Sequence, residues 1–359
     1  MNHLIPMNQI MSPLESAVPV TSPELVDQFS RTISYLRLSL TDRCNLRCRY
    51  CMPQGVENDV EGLPRIDLLS YDELLRIVRV AVSMGMNKLR LTGGEPLVRP
   101  GVMGFIGDLS AIPGLDDIRL TTNGVLLQDK VDALYEAGIR KLNISLDTLK
   151  PERFAKITGV DCFAKVWQGI EAACARGFQV KLNAVAMRDV NDDELADFAN
   201  LAVERPLQVR FIEFMPMGER SSWERNRFIS AQELRERLAR IGTLERIPGC
   251  RIDGPARIYD LVMSDGRRGK VGFISPISHH FCDRCNRLRL TSEGRLRACL
   301  LHDRETDLKE MIRAGGSDQA IAASIRQTIL DKPKGHTLEN DLAVSQRGGC
   351  QGRMSRIGG

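Results

Sequence analysis

Between Ser34 and Met215, short runs rich in Val, Ile, Leu and basic residues alternate with amphipathic stretches of helical length, and this rhythm admits few folds. Six strands are predicted: Ser34–Leu40, Lys88–Thr92, Asp117–Thr122, Arg140–Leu146, Gln179–Ala186 and Gln208–Met215. Two helices open on a capping-box pattern, Ser70 with Glu73 and Ser230 with Glu233, in which hydroxyl and carboxylate satisfy exposed amides reciprocally. Another helix is expected to start near Asn191. Sequential strand-helix units with short links call for parallel strands, right-handed crossovers and helices outside a curved sheet. The reading is an α/β fold, an incomplete (β/α)6 TIM-like barrel. A doubly wound open sheet is the alternative that pattern alone leaves open.

After Met215 the rhythm changes. A polar link (Pro216 to Arg227) and a helix precede extended pieces around Arg257–Met263 and Lys270–Ile274, then a cysteine cluster and a last helix, roughly Asp307 to Leu330. The chain is therefore divided into a mobile arm (1–30), a partial barrel (31–228), a small C-terminal cluster-binding domain (229–340) and a Gly/Arg-rich tail (341–359). A net charge of +4 is too mild to imply a nucleic-acid partner. Arg76 and Arg79 interrupt the most apolar stretch, Leu74 to Met86, so no membrane span is expected. The N-terminus lacks a basic start and an unbroken apolar segment, which makes the cytoplasm the default compartment.

In a reducing compartment, ten unevenly spaced cysteines point to metal ligation or catalysis rather than a disulfide framework. The sharpest motif is Cys44-Asn-Leu-Arg-Cys48-Arg-Tyr-Cys51, placing three thiols on one loop after the first strand. A four-iron cubane held by three cysteines keeps its fourth iron open to an outside ligand. The bland alternative, a zinc site completed from elsewhere, fits the spacing poorly. A second set, Cys282, Cys285 and Cys299, suits a zinc knuckle with His279, His280 or His302 equally well on local grounds. The arginines of Arg287-Leu288-Arg289 between them tilt the reading, because paired guanidinium groups suit phosphate recognition and a structural knuckle gains nothing from them.

Thr92-Gly93-Gly94-Glu95-Pro96 ends the second strand, where paired glycines let backbone approach a small ligand and offer amides to its carboxylate. Polar residues recur at other strand ends: Thr121, Thr122, Asn123, Ser145, Asp147, Asn183, Glu213 and Met215. In parallel barrels that end builds the active site. Neither a G-x4-G-K-[ST] loop nor a G-x-G-x-x-G turn is present, so basic side chains must do any phosphate work.

The C-x3-C-x2-C loop resembles the hallmark of the radical S-adenosylmethionine enzymes, and the Cys-x2-Cys, Arg-Leu-Arg, Cys pattern resembles the GTP 3′,8-cyclase family, from about Arg37 to the last residue. The resemblance implies two [4Fe-4S] clusters, one on Cys44, Cys48 and Cys51 and one on Cys282, Cys285 and Cys299, with S-adenosylmethionine held near Tyr50, Gly94, Ser145 and Met215. It implies GTP contacts at Arg37, Arg90, Thr121, Lys181, Arg287, Leu288 and Arg289, and catalytic roles for Arg37, Arg287, Arg289 and a Gly358-Gly359 tail reaching the active site. The implied reaction is radical abstraction of the ribose 3′ hydrogen followed by attack on guanine C8, the first step of molybdenum cofactor biosynthesis. The implied partners are a second copy in a homodimer, a low-potential electron donor and a following cyclic pyranopterin monophosphate synthase.

Two competing classes remain at this level. A radical S-adenosylmethionine peptide maturase with an auxiliary cluster shares the cysteines but leaves Arg287, Arg289 and the terminal glycines unexplained. A zinc-dependent interaction module would contain no iron. Cys162, Cys174, Cys250 and Cys350 fit neither set; the first two lie on a helical pattern and are read as core residues.

Overall fold

Buried parallel strands usually read as unbroken apolar runs. Here they alternate, as in Tyr35-Leu-Arg37-Leu-Ser39 and Lys88-Leu-Arg90-Leu-Thr92. With a period of two, one face of each strand is apolar and the other polar or cationic. The computed structural model describes residues 25–51, 64–217, 224–248, 254–336, 350, 352 and 354–358. In it, strands β1 (Tyr35–Ser39), β2 (Lys88–Thr92), β3 (Asp117–Thr122), β4 (Lys141–Ser145), β5 (Gln179–Ala186) and β6 (Leu207–Glu213) lie parallel and in chain order. Helices α1 (Tyr71–Ser83), α2 (Val102–Ser110), α3 (Val131–Glu136), α4 (Pro151–Thr158), α5 (Phe163–Arg176) and α6 (Leu195–Glu204) follow them. The apolar strand residues, among them Leu38, Leu91, Leu120, Ile144, Leu182 and Val209, join the helices in one continuous core. The polar faces are left to line the inside of the curve.

The remainder of the chain extends the same sheet. After α7 (Ala231–Leu238) come β7 (Gly242–Arg246), β8 (Arg257–Met263) and β9 (Arg268–Ile274), and β9 pairs parallel with β6. Then β10 (Arg287–Leu290) pairs parallel with β1, followed by β11 (Arg295–Arg297), β12 (Glu305–Asp307), α8 (Leu308–Arg313), α9 (Asp318–Leu330) and the short helix α10 (Met354–Ile357). The sheet order, β12-β11-β10-β1-β2-β3-β4-β5-β6-β9-β8-β7, leaves β9 and β10 unpaired with each other, so the barrel stays open. Residues 275–286, carrying Cys282 and Cys285, connect those two strands. The C-terminal segment thus builds on both edges of the partial barrel instead of forming a sheet of its own.

Local expectations hold with instructive exceptions. Ser70 and Glu73 form the full capping box. Ser230 accepts from the Glu233 amide, but the Glu233 carboxylate is taken by Arg188 at 2.7 Å and Arg237 at 2.6 Å, so only half of that box closes. A helix does start near Asn191, a 3-10 turn Asp192–Glu194 running into α6, but the Asn191 side chain makes no cap bond to it; its amide donates to the Asp147 and Val185 carbonyls and pins the end of β5. The expected helix 307–330 is two helices, because Gly315 (φ 82°) turns the chain and Ser317 caps a new start at the Ala320 amide. Of the expected mobile arm, residues 25–30 are anchored: Leu25 is buried, and buried Asp27 pairs with Arg31 at 2.6 Å. Residues 1–24 lie outside the described part. No helix among the described residues is long and apolar enough to cross a membrane.

Candidate active site

All eight strand-end residues singled out from the sequence line one cavity of about 330 Å³, together with Cys44, Cys48 and Cys51 and with Cys282, Cys285 and Cys299. The six cysteines are free thiols. The first loop is pinned along its length: the Arg47 and Arg49 amides donate to the carbonyls of Thr158 and Ile157 at the end of α4, and the Cys51 amide to that of Cys48. The Asn123 side chain donates to Asn45 Oδ1 (2.7 Å) and reaches Cys44 Sγ (3.6 Å). Burial pushes the Cys44 thiol up to about 11, and burial with the charges of Cys44 and Asp147 pushes Cys51 up to about 12. Half-buried soft donors held by their own backbone, with no resident cation against them, are the chemistry an iron-sulfur centre fits. No three His, Cys, Asp or Glu side chains among the described residues gather around one point, as a mononuclear zinc ion requires. A cubane is less demanding here, since each thiolate meets a different iron.

The Gly-Gly turn works otherwise than its motif suggests. Gly94 N donates to Thr41 O (2.7 Å) and Glu95 N to Arg43 O (2.8 Å), so these amides are spent on the cysteine loop and not on a ligand carboxylate. A Cβ on Gly93 would lie 2.4 Å from Thr41 O, and one on Gly94 2.2 Å from Arg43 O. The glycines are needed because two backbones touch, which positions Cys44 against the end of β2. Glu95, fully buried and pushed up to about 7 by that burial, accepts from Leu97 N, Thr122 Oγ1 and Asn123 N and fixes the turn to the end of β3. Gly94→Ala is expected to cost about 2 kcal/mol or more, lowering the melting temperature by several degrees and the iron bound per chain. Gly104→Ala in α2, where a Cβ meets nothing within 4 Å, is the matched control and should leave both unchanged.

Of the residues implied for S-adenosylmethionine, Tyr50, Gly94, Ser145 and Met215 all line the cavity. Tyr50 is held by a 2.7 Å hydrogen bond from its hydroxyl to Asp147 and by edge contact with Phe214. Asp147 accepts from Val185 N as well, and its burial raises its carboxyl to about 6.

Of the residues implied for the nucleotide, Arg37, Arg90, Thr121, Arg287 and Arg289 line the same cavity. The Arg90 guanidinium donates to Tyr35 Oη and to Thr121 Oγ1, the latter at 3.3 Å. Burial opposes ionisation of the Tyr35 phenol, yet Arg90 and Arg37 outweigh it and bring it down to about 8. Lys181 falls outside the lining; it sits one step deeper on the strand face that carries Asn183. Leu288 is a correction: it is fully buried in the core behind β10, because strand alternation sends Arg287 and Arg289 inward and the leucine outward.

Gly358 is buried, with φ 79°, and its carbonyl accepts from Arg289. A Cβ there would lie 2.3 Å from Thr92 Cγ2. On α10, just before it, the Ser355 amide lies against the Cys51 thiol, so residues 354–358 touch both halves of the site. Gly359 and Cys250 lie outside the described residues. Cys162 and Cys174 are half-buried against the core, and Cys350 is buried beside Met217 and Ile357.

Sequence reasoning missed Arg119, Asn143 and Arg210, which also line the cavity. It also missed Asp117, which closes the barrel floor by pairing with Arg119, Lys141 (3.3 Å) and Lys88 (3.9 Å). Burial works against the Asp117 charge, but Arg119 and Lys141 hold its carboxyl down at about 2. The signal was available: strict apolar/cationic alternation in parallel strands marks a polar interior. Glu213 was read only as a strand-end residue, yet it fastens the cavity wall, accepting from the amides of Ala231 (2.8 Å), Ile277 and Ser278 (3.0 Å each).

Comparison with known proteins agrees with this geometry. The Radical SAM superfamily model matches residues 38–202, and the Molybdenum Cofactor Synthesis C model matches residues 207–338. The GTP 3′,8-cyclase of Moorella thermoacetica is 48% identical over 331 residues, covering 90% of this chain and 99% of the relative. That of Heliobacterium modesticaldum is 46% identical over 341 residues, covering 93% and 100%. Among solved structures, Streptococcus suis SuiB bound to S-adenosylmethionine superposes with a TM-score of 0.59 at 14% identity, over 89% of this chain and 76% of that one, a likeness of fold alone. With identity of this extent along nearly the whole length of both chains, and both cysteine sets facing one cavity, the protein belongs to the GTP 3′,8-cyclase family.

Proposed function

We infer that the chain is a radical S-adenosylmethionine lyase that converts GTP to (8S)-3′,8-cyclo-7,8-dihydroguanosine 5′-triphosphate, the first step of molybdenum cofactor biosynthesis, using two [4Fe-4S] clusters. The observation that carries this reading is the meeting of two three-cysteine sets and a ring of arginines in one cavity. When bound on Cys44, Cys48 and Cys51, a cluster with S-adenosylmethionine would supply the hydrogen-abstracting radical chemistry for closing ribose C3′ onto guanine C8, and a reductant and a proton would be needed to complete the 7,8-dihydro product. The protein's part is to hold and shield. Tyr50, Ser145 and Met215 orient the adenosyl side, with Gly94 keeping the cysteine loop in place. Arg37, Arg90, Arg287 and Arg289, with Thr121, Lys181 and the newly recognised Arg119 and Arg210, hold the triphosphate by charge in an interior where attraction is little screened. Gripping the nucleotide at the phosphates, and at the base through a centre that Cys282, Cys285 and Cys299 would hold, would fix the 3′ hydrogen in place.

Residues 31–228 would then serve radical generation and 229–340 base recognition, with Gly358 and Gly359 completing the substrate side. Cytoplasmic location, a homodimer, a low-potential electron donor and transfer of product to cyclic pyranopterin monophosphate synthase complete the proposal. The peptide-maturase reading gains nothing from SuiB, whose likeness is one of fold.

The test is anaerobic incubation of the iron-reconstituted protein with dithionite, GTP and S-adenosylmethionine. Formation of 5′-deoxyadenosine together with a cyclised nucleotide is expected; deoxyadenosine with GTP untouched would reject the substrate.

Lys181 adds a pH dependence. Burial and the neighbouring Arg210 and Arg119 pull its amine down to about 7, so above that pH it is neutral until an anion arrives. GTP binding restores the charge and draws in a proton, so affinity should fall as pH rises above about 7, by up to tenfold per unit for one proton. Calorimetry at pH 8 in buffers of different ionisation enthalpy is expected to show this uptake, and Lys181→Met to abolish it.

A further inference from the structure

Two buried cations belong to neither the adenosyl side nor the arginine ring. Lys332, just beyond α9, is 2% exposed, and its ammonium donates to the Arg287 carbonyl (2.9 Å) and to the Ala298 carbonyl. These acceptors lie two residues after Cys285 and immediately before Cys299, so one side chain ties together the two segments bearing those thiols. Arg31 donates to the carbonyl of Cys282 itself (2.7 Å) and to those of Pro333 (2.7 Å) and Lys334 (3.0 Å). It thereby fastens the segment carrying Lys332 to the third thiol. Three stretches of chain, far apart in sequence, meet in one knot.

The two cations differ in their counter-charge. Arg31 has a carboxylate of its own in Asp27, at 2.6 Å and fully buried. Lys332 makes no ion pair with a carboxylate among the described residues; the groups it faces are the sulfurs of Cys285 and Cys299 and the cations Arg31 and Arg287. Carbonyls satisfy an ammonium's N–H groups without neutralising its charge, and a buried charge without a counter-ion is costly. A thiolate-ligated centre of net negative charge is the counter-ion this pocket lacks.

We propose that Lys332, braced by Arg31, is a positioning residue for the second cluster: it sets the spacing of Cys282, Cys285 and Cys299, and its charge raises the reduction potential of the centre they hold. The proposal rests on reading those cysteines as cluster ligands. Net charge and hydrogen bonding around a cluster are among the factors that set its potential, and a cation beside it favours the added electron.

The experiment uses the full chain with Cys44, Cys48 and Cys51 replaced by alanine, so that only the second site can load, and reads iron content and an EPR-monitored redox titration. This parent must bind about four iron per chain; if it binds none, the ligand assignment fails whatever Lys332 does. Given a loaded parent, Lys332→Gln keeps a donor for the carbonyls but drops the charge. It is expected to move the midpoint to more negative potential, and Lys332→Met, which drops both, to lose half or more of the iron as well. Lys334→Gln removes the same charge from an exposed position two residues away and should change neither. Arg31→Gln, which keeps Lys332, provides a second route to the positioning role should both Lys332 variants fail to fold, with lowered iron content expected. Parental iron and midpoint in the Lys332 variants, an equal shift in Lys334→Gln, or, where neither Lys332 variant folds, full iron in Arg31→Gln would overturn the proposal.

Discussion

Cys48→Ala and Cys285→Ala are expected to fail in different ways. With Cys48 gone, one of three thiolates on the first loop is lost, and both 5′-deoxyadenosine formation and GTP consumption should fall to background, on the order of a 10⁶-fold loss or more. Cys285 lines the same cavity, where burial opposes ionisation but Arg287 and Lys332 outweigh it and bring the thiol down to about 6. Removing it should leave the first loop and its neighbours Asn123 and Tyr50 intact, so slow deoxyadenosine release persists while cyclised nucleotide disappears. Iron analysis of each variant is expected to show about four per chain where the unaltered protein binds about eight. If Cys285→Ala made cyclised product at the parental rate, the second set would have no part in holding the base.

The second large effect concerns Arg289. It is buried among Arg37, Arg287 and Arg297 and holds the Gly358 carbonyl. Arg289→Gln removes a cation from the phosphate-binding ring and the anchor of residues 354–358 in one change. Truncating one member of a buried charged interaction costs about 3–5 kcal/mol, a drop in kcat/KM for GTP of roughly 10²–10⁴. Gly358→Ala attacks the same contact from the other side, because its Cβ would run into Thr92 and its left-handed backbone is strained for alanine. If both act through that contact, the double variant should lose little more than the worse single one. Full additivity would show that Arg289 works on the substrate alone and that the residues around Gly358 serve another purpose.

The alternation of strands and helices and the spacing of the cysteines were legible in sequence because each is a local property: hydrophobic period, capping chemistry, thiols on one loop. Predicted and observed strands agree to within a residue or two at their ends, the ordinary looseness of such boundaries. The failures arose where a local signal was misread or was overridden by a distant partner. The break at Gly315 was hidden by an apolar pattern that runs across it. Glu233 was read as a cap partner because the arginines that claim it lie 45 residues before it and four after it. Leu288 was carried along with its neighbours although strand geometry turns it the other way.

What the sequence by itself determined, then, was which residues stand at strand ends and which thiols share a loop. Tertiary structure alone decided that β9 and β10 extend the two edges of one open sheet, bringing Cys285 to the cavity that holds Cys51. It also decided that Gly93 and Gly94 serve backbone contact with the cysteine loop, and that Lys332 and Arg31 gather three distant segments into one knot. The physical reason is range. Hydrogen-bond periodicity acts over a few residues, whereas the meeting of like-charged arginines, buried thiols and orphan carbonyls depends on which strands become neighbours once the apolar faces have been buried.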